Sequence, residues 1–446
     1  MSSSDIVSSA EQFLDLAKKA GADAADVLAV NGTSVQVRVR NGATDKVERS
    51  EAVDFGLRVF VNGSSAVVSG TARTAQDYAT LAERAVQMAK IAPPDASLGL
   101  QDTTGRAASP DALELADDAR VDTETLSDLA LAAEAACREI KGVSKTDGAA
   151  ASAGQREIVL VTSNGFSGNY ARTGYSISAS AIAGDGTLME RDYDYSSKVH
   201  FADLDDAGAI GRRAGERAVR ALNPRKMTSQ KCAVIFEARL ASSFPSLLAQ
   251  AANGSGVVRG TSFLKDMMGQ QVFANGITII DDPLLVRGLS SKPFDAEGAI
   301  CAALNLVEDG VLSNWLLDGR TATKLGLTSN ARAARSTGGQ PSPSTTNLWL
   351  ANGTVSVRDM IAGIGDGILI TSMFSSGVNM VTGDYSRGAA GLRIENGEVT
   401  HPVSEITIAG NLKDMFVNLT PADDLEMKSS TNAPTCLVEG MTVAGA

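Results

Sequence analysis

Eight Asn-Gly dipeptides, at positions 31, 41, 62, 164, 253, 275, 352 and 396, constrain this chain more than any other feature. Asn-Gly supplies the two consecutive positive-φ residues that a two-residue β-turn requires, so a pair flanked by strand-like runs reads as a hairpin. Most of the eight are flanked in this way. The pattern favours antiparallel sheets over a doubly wound parallel sheet, whose strands need long crossovers. The pair at 396 is the most explicit, because it separates the alternating runs 390–395 and 398–403. Before it lies Gly383-Asp-Tyr-Ser-Arg-Gly388, read as a polar loop able to present Asp384, Tyr385, Ser386 and Arg387 in a cleft. Near the start, Ser34–Arg40 alternates with period two, as a half-buried strand should. The pairs at 31, 41 and 62 punctuate a meander that ends near Ser69.

Helical periodicity appears in four places: from Ser4 or Asp5 to about Ala20, Thr74–Ile91, Thr123–Lys141 and Asp205–Leu222. Asn223-Pro224-Arg225 stops the fourth, since the residue before proline is disfavoured in a helix. That stop divides the chain into an N-terminal domain, 1–223, and a C-terminal domain, 224–446. The second opens with a buried-strand run, Cys232–Phe236, and a helix over Ala238–Ala252 whose start contains Pro245. Short strands and turns follow, so both domains read as α+β, the second mostly antiparallel β wrapped around one or two helices. Pro93–Val121 reads as a long irregular connection and Thr337–Thr346 as a mobile surface loop.

A net charge of −12 repels phosphate backbones, and the basic residues do not cluster, so nucleic-acid binding is disfavoured. No apolar run reaches the roughly 18 residues of a membrane helix. The N-terminus has no basic and apolar leader, and Cys137, Cys232, Cys301 and Cys436 are widely spaced, which points to reduced thiols in a cytoplasmic protein.

The chemistry-bearing residues are sparse. His200 and His401 are the only histidines, and neither has a metal-type partner at helical spacing. Each reads as a structural or surface residue. His401 is too weakly placed by spacing to make Ser386 or Ser404 a nucleophile. Gly363-Ile-Gly-Asp-Gly367 follows a helix and precedes a strand, the reverse of a dinucleotide fingerprint, and reads as a helix C-cap with positive-φ glycines. Asp281-Asp282 and Glu308-Asp309 read as solvated turn acids.

Several motifs carry a family resemblance. Gly383-Asp-Tyr-Ser-Arg-Gly-Ala-Ala-Gly391, Ile394-Glu-Asn-Gly-Glu398 and Pro402-Val-Ser-Glu-Ile-Thr-Ile-Ala-Gly-Asn-Leu-Lys-Asp-Met415 resemble the C-terminal signature of the TldD/PmbA family, in its PmbA (TldE) branch. Pro293-Phe-Asp-Ala-Glu-Gly298, Leu312-Ser-Asn-Trp-Leu-Leu317, Thr261-Ser-Phe-Leu264, Lys324-Leu-Gly-Leu327, Arg40-Asn-Gly42 and Gly56-Leu-Arg-Val-Phe60 fit the same branch. The resemblance implies an N-terminal α/β domain and a C-terminal antiparallel, barrel-like domain with a central helix. It further implies a heterodimeric metalloprotease that degrades unfolded or flexible peptides, including antitoxin and microcin-precursor types. In that family the TldD branch carries H-E-x-x-x-H and a C-terminal cysteine that hold zinc. Here the corresponding helix reads Ser243-Phe-Pro-Ser-Leu-Leu-Ala-Gln250, with no His and no Glu. Cys436 stands as a vestige of the cysteine position.

The resemblance thus implies a subunit with no catalytic residue, metal or cofactor of its own, zinc being expected in a TldD-like partner. Asp384, Tyr385 and Arg387 are the expected substrate contacts, with Thr337–Thr346 as a second chamber wall. The alternatives are a non-catalytic regulatory homodimer acting on gyrase and a self-sufficient hydrolase.

Overall fold

The structure, a computed structural model, describes residues 3–71, 74–103 and 107–445, apart from the side chain of Ser376. Its first half is built on six antiparallel strands: β1 (Ala24–Arg40), β2 (Ala43–Val61), β3 (Ser64–Gly70), β4 (Val143–Thr162), β5 (Ser167–Ala183) and β6 (Glu190–Lys198). They lie in the order β3-β2-β1-β4-β5-β6 and curl into a half-barrel. Strands of 17 to 20 residues are about three times the usual length. Such length lets one sheet face seat two helix pairs end to end. The alternation of β1 shows how: Ala25, Val27 and Ala29 pack under α1 (Ser3–Lys19) and α2 (Ala75–Ile91). Further along the same face, Val37 and Val39 pack under α3 (Thr123–Glu139) and α4 (Ala207–Arg220).

The hairpins at Asn41-Gly42 and Asn62-Gly63 form as expected, with φ of 58° and 75°, then 50° and 77°. Asn31-Gly32 does not turn. It lies inside β1, paired to Ala52 on one side and Arg156 on the other. Two flanking ladders override a local turn preference, and the strand begins ten residues before the expected Ser34.

The second half is a closed five-stranded barrel. Strand β7 (Gln230–Phe236) runs parallel to Asp366–Val378 and antiparallel to Cys436–Ala444. Antiparallel pairs then join Asp366–Val378 to Asp384–Glu395, and Asp384–Glu395 to Glu398–Asn411. Pairing of Glu398–Asn411 with Cys436–Ala444 completes the circle. The Asn396-Gly397 turn has φ of 54° and 77°, as its sequence requires. Residues 384–388, expected as a loop, are strand; only Gly383, at φ 87°, lies outside it. The 363–367 glycines are not at positive φ either. Gly367 is instead the first ladder residue against Ala233, where a Cβ would sit 2.7 Å from the Ala233 carbonyl oxygen. The barrel's single parallel pair forces a long crossover, residues 237–365, which carries helices and four strands of a small five-stranded sheet, the fifth being Thr431–Asn432.

A polar clasp joins the halves on the sheet face away from the helices. Asp26 and Arg58 are cross-strand neighbours, both buried, with Nη2 of Arg58 2.5 Å from the carboxylate. Arg335 of the second half approaches the other oxygen of Asp26 to 2.5 Å. Glu297 completes the cluster, 3.2 Å from Arg58 and accepting from the Gly319 amide at 2.8 Å. Three residues earlier, Phe294 wedges between Phe166 and Tyr170 of the first half, with ring centroids at 5.0 and 5.4 Å. The Pro293–Gly298 motif is therefore the hinge pin between the halves.

Thr337–Thr346 is part of this clasp and is not a mobile loop. Its Thr337 carbonyl lies so close to Gly56 that a Cβ there would be 2.0 Å away. Farther along, Pro343 accepts from Asn253 and Thr346 is tied to Asp281.

Burial pushes the Glu297 carboxyl up to about 7, with Arg58 opposing and Asp295 and Asp318 adding to the shift. A folded-state value above the ordinary 4.5 means that its contribution to stability is complete below pH 4.5 and is lost as pH rises through 7. Glu297→Gln is expected to remove that slope. Relative to the variant, the parent should lose up to about 3 kcal/mol between pH 4.5 and 8, measured by urea unfolding at fixed ionic strength.

Candidate functional site

At the open end of the barrel β7 stops at Phe236, while its parallel neighbour runs on to Val378. The chain leaves β7 into two short helices, Ala238–Ala241 and Ser243–Ala251. Sequence periodicity suggested one helix. The break at Ser242 follows from Pro245, which has no amide to donate back to the preceding turn. Phe244, Leu247 and Leu248 bury one side of the second helix in the barrel core, where Phe236 and Phe244 meet edge to face at 4.9 Å.

The helix's other side floors a cleft of about 410 Å³. Ser242, Ser243, Ser246 and Gln250 face it, Met373, Val378 and Met380 form one wall, and Arg387 stands at the rim. The serine hydroxyls donate to carbonyls of their own helices: Ser242 to Arg239 at 3.0 Å, Ser243 to Leu240 at 2.6 Å and Ser246 to Ser242 at 3.0 Å. None has a base beside it among these lining residues. Arg239, which also lines the cleft, is engaged by Asp192 at 2.6 and 2.8 Å and by the Thr371 carbonyl at 2.6 Å. What remains is a groove of apolar methionine and valine walls with hydroxyl and amide groups on its floor. Such a surface can hold an extended chain.

Of the three expected substrate contacts, Arg387 alone lines the cleft. Its Nε donates to the Ser375 carbonyl at 2.9 Å. Tyr385 is 2% exposed in the barrel core, its hydroxyl 3.4 Å from Met373 Sδ, and burial pushes its pKa up to about 12. Asp384 is exposed but braces a turn, accepting from Thr382 at 2.6 Å and Asn411 at 3.2 Å. Strand alternation turns 384 outward and 385 and 387 to the opposite face, where Tyr385 is buried in the core and Arg387 reaches the cleft. Met373 and Met380 were not anticipated, because nothing local marks a methionine as cleft wall instead of core.

His200 and His401 are far from this groove in their bonding. His200 Nε2 is 2.9 Å from the Glu114 carbonyl, and His401 Nδ1 is 3.0 Å from the Thr400 hydroxyl. Asp281 is not a solvated turn acid: it is fully buried against Arg332, whereas Asp282 caps the Leu284 amide and Asp309-Gly310 forms a hairpin turn as expected. All four cysteines are unpaired thiols. Cys436 lies sealed in the barrel, donates to the Pro434 carbonyl at 3.3 Å and is held protonated by burial. Among the described residues no three His, Cys, Asp or Glu side chains stand together as a metal ligand set. Among those residues, too, no helix is long and apolar enough to cross a membrane.

These features define a class of two-part α+β protein, in which a helix-backed half-barrel is clasped to a closed barrel with a helix-floored groove. Three family profiles match in chain order: PmbA/TldA metallopeptidase domain 1 over residues 25–89, the central domain over 116–222 and the C-terminal domain over 229–445. The chain belongs to the PmbA/TldD metallopeptidase family. It is 34% identical over 425 residues to the metalloprotease PmbA of Escherichia coli O157:H7, covering 95% of this chain and 92% of that one. A crystal structure from Bacteroides thetaiotaomicron, described as a proposed modulator of DNA gyrase, superposes with a TM-score of 0.89 at 26% identity, covering 98% of both chains. TldE from Thermococcus kodakarensis shares the fold, with a TM-score of 0.86 at 18% identity and coverage of 98% and 99%.

The family description implies a metal, and this cleft does not fit one. A catalytic zinc takes about three nitrogen, oxygen or sulfur ligands on an open face. Here the helix presents serine, leucine and glutamine, and the thiol of Cys436 is enclosed and protonated.

Proposed function

We propose that this chain is the non-metal subunit of a cytoplasmic TldD/TldE-type metallopeptidase acting on unfolded or flexible peptides. The observation that carries the reading is the floor of the cleft: a helix beside the barrel opening that offers serines and Gln250 where a peptidase of this family needs ligands and a base. A TldD-like paralogue with H-E-x-x-x-H brings zinc and the glutamate. The 224–446 domain of this chain then lines the chamber, and Arg387 steadies the peptide backbone or a carboxylate. The 1–223 domain holds that barrel in position through the Asp26–Arg58–Glu297–Arg335 clasp.

Co-expression with an H-E-x-x-x-H paralogue is expected to yield a co-purifying complex that degrades casein and contains zinc, while this chain alone binds none. Arg387→Ala in that complex should raise KM about tenfold, the loss of one charge-assisted hydrogen bond. Zinc bound stoichiometrically by this chain alone, or failure of the two chains to associate at micromolar concentration, sinks the reading.

A further inference from the structure

We infer that Arg156 and Arg172, side by side on the sheet face away from the helices, bind a carboxylate of the flexible peptide on which the complex acts. The class of ligand rests on the function proposed above. The two arginines are direct cross-strand partners in the β4–β5 ladder. Like charges directly opposite each other destabilise a strand pair. Among the described residues no carboxylate pairs with either guanidinium. The nearby acids are turned away or already taken. Glu157 lies on the other face, where it accepts from Ser3. Asp26 is held by the clasp and Glu48 by Lys46. Asp54 is on β2, with β1 between it and β4. By contrast Arg58, Arg332 and Arg335 each meet an acid within the chain.

Arg172 is half-buried and held in place, its Nη2 donating to the Leu289 carbonyl of the second half. That is one use of a five-donor group. The loop that supplies the carbonyl, residues 285–291, contains no acid. Burial lowers the Arg172 pKa from its ordinary value, and Arg156 adds to the effect against the pull of Tyr170. A guanidinium still keeps its proton, so an anion relieves the repulsion and deprotonation does not. Glycines open the ground beside the pair. Gly32 faces Arg156 across the β1–β4 ladder, and a Cβ there would sit 3.4 Å from Arg156 Cγ. Two residues along β4, on the same face, Gly154 lies between Ser34 and Gly174. A Cβ at Gly174 would meet nothing within 4 Å. Glycine inside a strand weakens it and marks a place where a ligand or another chain comes close. The Asn31-Gly32 pair that does not turn thus puts its glycine at this site.

The planar guanidinium fork matches the two oxygens of a carboxylate. Phosphate sites commonly add backbone amides from a helix N-terminus or a nest. Here the β4 backbone is committed to ladders with β1 on one side and β5 on the other. A polyanion such as nucleic acid is disfavoured by the net charge of −12. A single carboxylate on a flexible chain satisfies both arginines without those costs. Neither arginine lines the groove at the barrel opening, so the pair is a second hold on the peptide, separate from that groove.

The test uses the full chain by itself, so it needs neither zinc nor the partner. A fluorescein-labelled flexible peptide with a run of glutamates and a free carboxyl end is titrated by fluorescence anisotropy at fixed ionic strength. Arg156→Gln and Arg172→Gln should each weaken binding about tenfold, the loss of one charge-assisted pair. Arg38→Gln is the control for general charge attraction. Arg38 is exposed on the same face, six residues along β1 from Gly32 and so roughly 20 Å away. That exceeds two Debye lengths at physiological salt, and its loss should weaken binding less than about twofold. Amidating the carboxyl end, or replacing the glutamates by glutamine, tells which carboxylate is held, since only the modification that removes it lowers affinity. A parent chain that does not bind the peptide overturns the inference. So does binding indifferent to both modifications made together, or an equal loss on Arg38→Gln. Arg156→Gln should unfold in urea no more easily than the parent, because the opposed charges are relieved; a marked loss of stability makes the pair structural and overturns the inference too. Failure of the chain to associate with an H-E-x-x-x-H paralogue bears on the function proposed above and leaves this binding measurement standing.

Discussion

Asp26→Ala is expected to lower the unfolding free energy by about 3–5 kcal/mol, among the largest losses available to a single residue of this chain. The reason is the number of charges left behind. Asp26 is fully buried and accepts from Arg58 Nε at 2.7 Å and Arg335 Nη2 at 2.5 Å. Removing it strands two guanidinium groups that are themselves 3% and 1% exposed. Arg335 has no slack, since its Nε already lacks a hydrogen-bond partner. Guanidinium groups do not shed their proton to escape burial. The clasp must therefore open to water, with Glu297 the acid left beside Arg58. Asp26→Asn, which keeps one acceptor and the shape, should cost less than the alanine. Chemical denaturation gives the magnitude. Limited proteolysis gives the location, with faster cleavage expected within 337–346, where the strap crosses Gly56. A loss below about 1 kcal/mol for Asp26→Ala would show that the clasp does not hold the halves together.

Those residues mark the limit of what the chain discloses on its own. Turns are local, and their signals were legible: Asn41-Gly42, Asn62-Gly63 and Asn396-Gly397 turn because both residues take positive φ. The start of the second helix was legible too, the periodic run beginning at Thr74, which forms a capping box with Asp77. Asn31-Gly32 misled because its conformation is decided by Ala52 and Arg156, distant in sequence. The same cause hides the clasp. Nothing near Asp26 or Asp281 announces an arginine that arrives from 309 or 51 residues away. The groove was half legible. The helix at 243–250 and Arg387 could be singled out, but outward Asp384 cannot be told from Tyr385 and Arg387, which share the opposite face, while 383–388 is read as a loop. Once that segment is a strand, period two assigns the faces.

Arg332→Met should cost about 3–5 kcal/mol as well, by the opposite imbalance, an anion left without its cation. Among the described residues Arg332 is the largest fully buried side chain, and it sits 2.6 Å from the equally buried Asp281. Its remaining nitrogens donate to the carbonyls of Asn330 at 2.8 Å, Asp281 at 3.0 Å and Ala302 at 2.8 Å, so one guanidinium stitches three segments of the crossover. Asp281 in turn accepts from the Thr346 amide at 2.6 Å and hydroxyl at 2.9 Å, fixing the end of the 337–346 strap. Arg332→Lys should recover little, because a single ammonium cannot reproduce a fork of donors. Burial already pushes the Asp281 carboxyl above its ordinary value against the pull of Arg332. Without the arginine it rises further, so the aspartate takes up a proton in the folded state. A raised carboxyl stabilises below its unfolded value and loses that contribution as pH rises. The deficit of Arg332→Met should therefore be larger at pH 8 than at pH 5. Adding Asp281→Asn to Arg332→Met removes the stranded charge, and the double variant should be at least about 1 kcal/mol more stable than the sum of the two single losses. Strict additivity would place the cost in lost packing and not in the unpaired carboxylate.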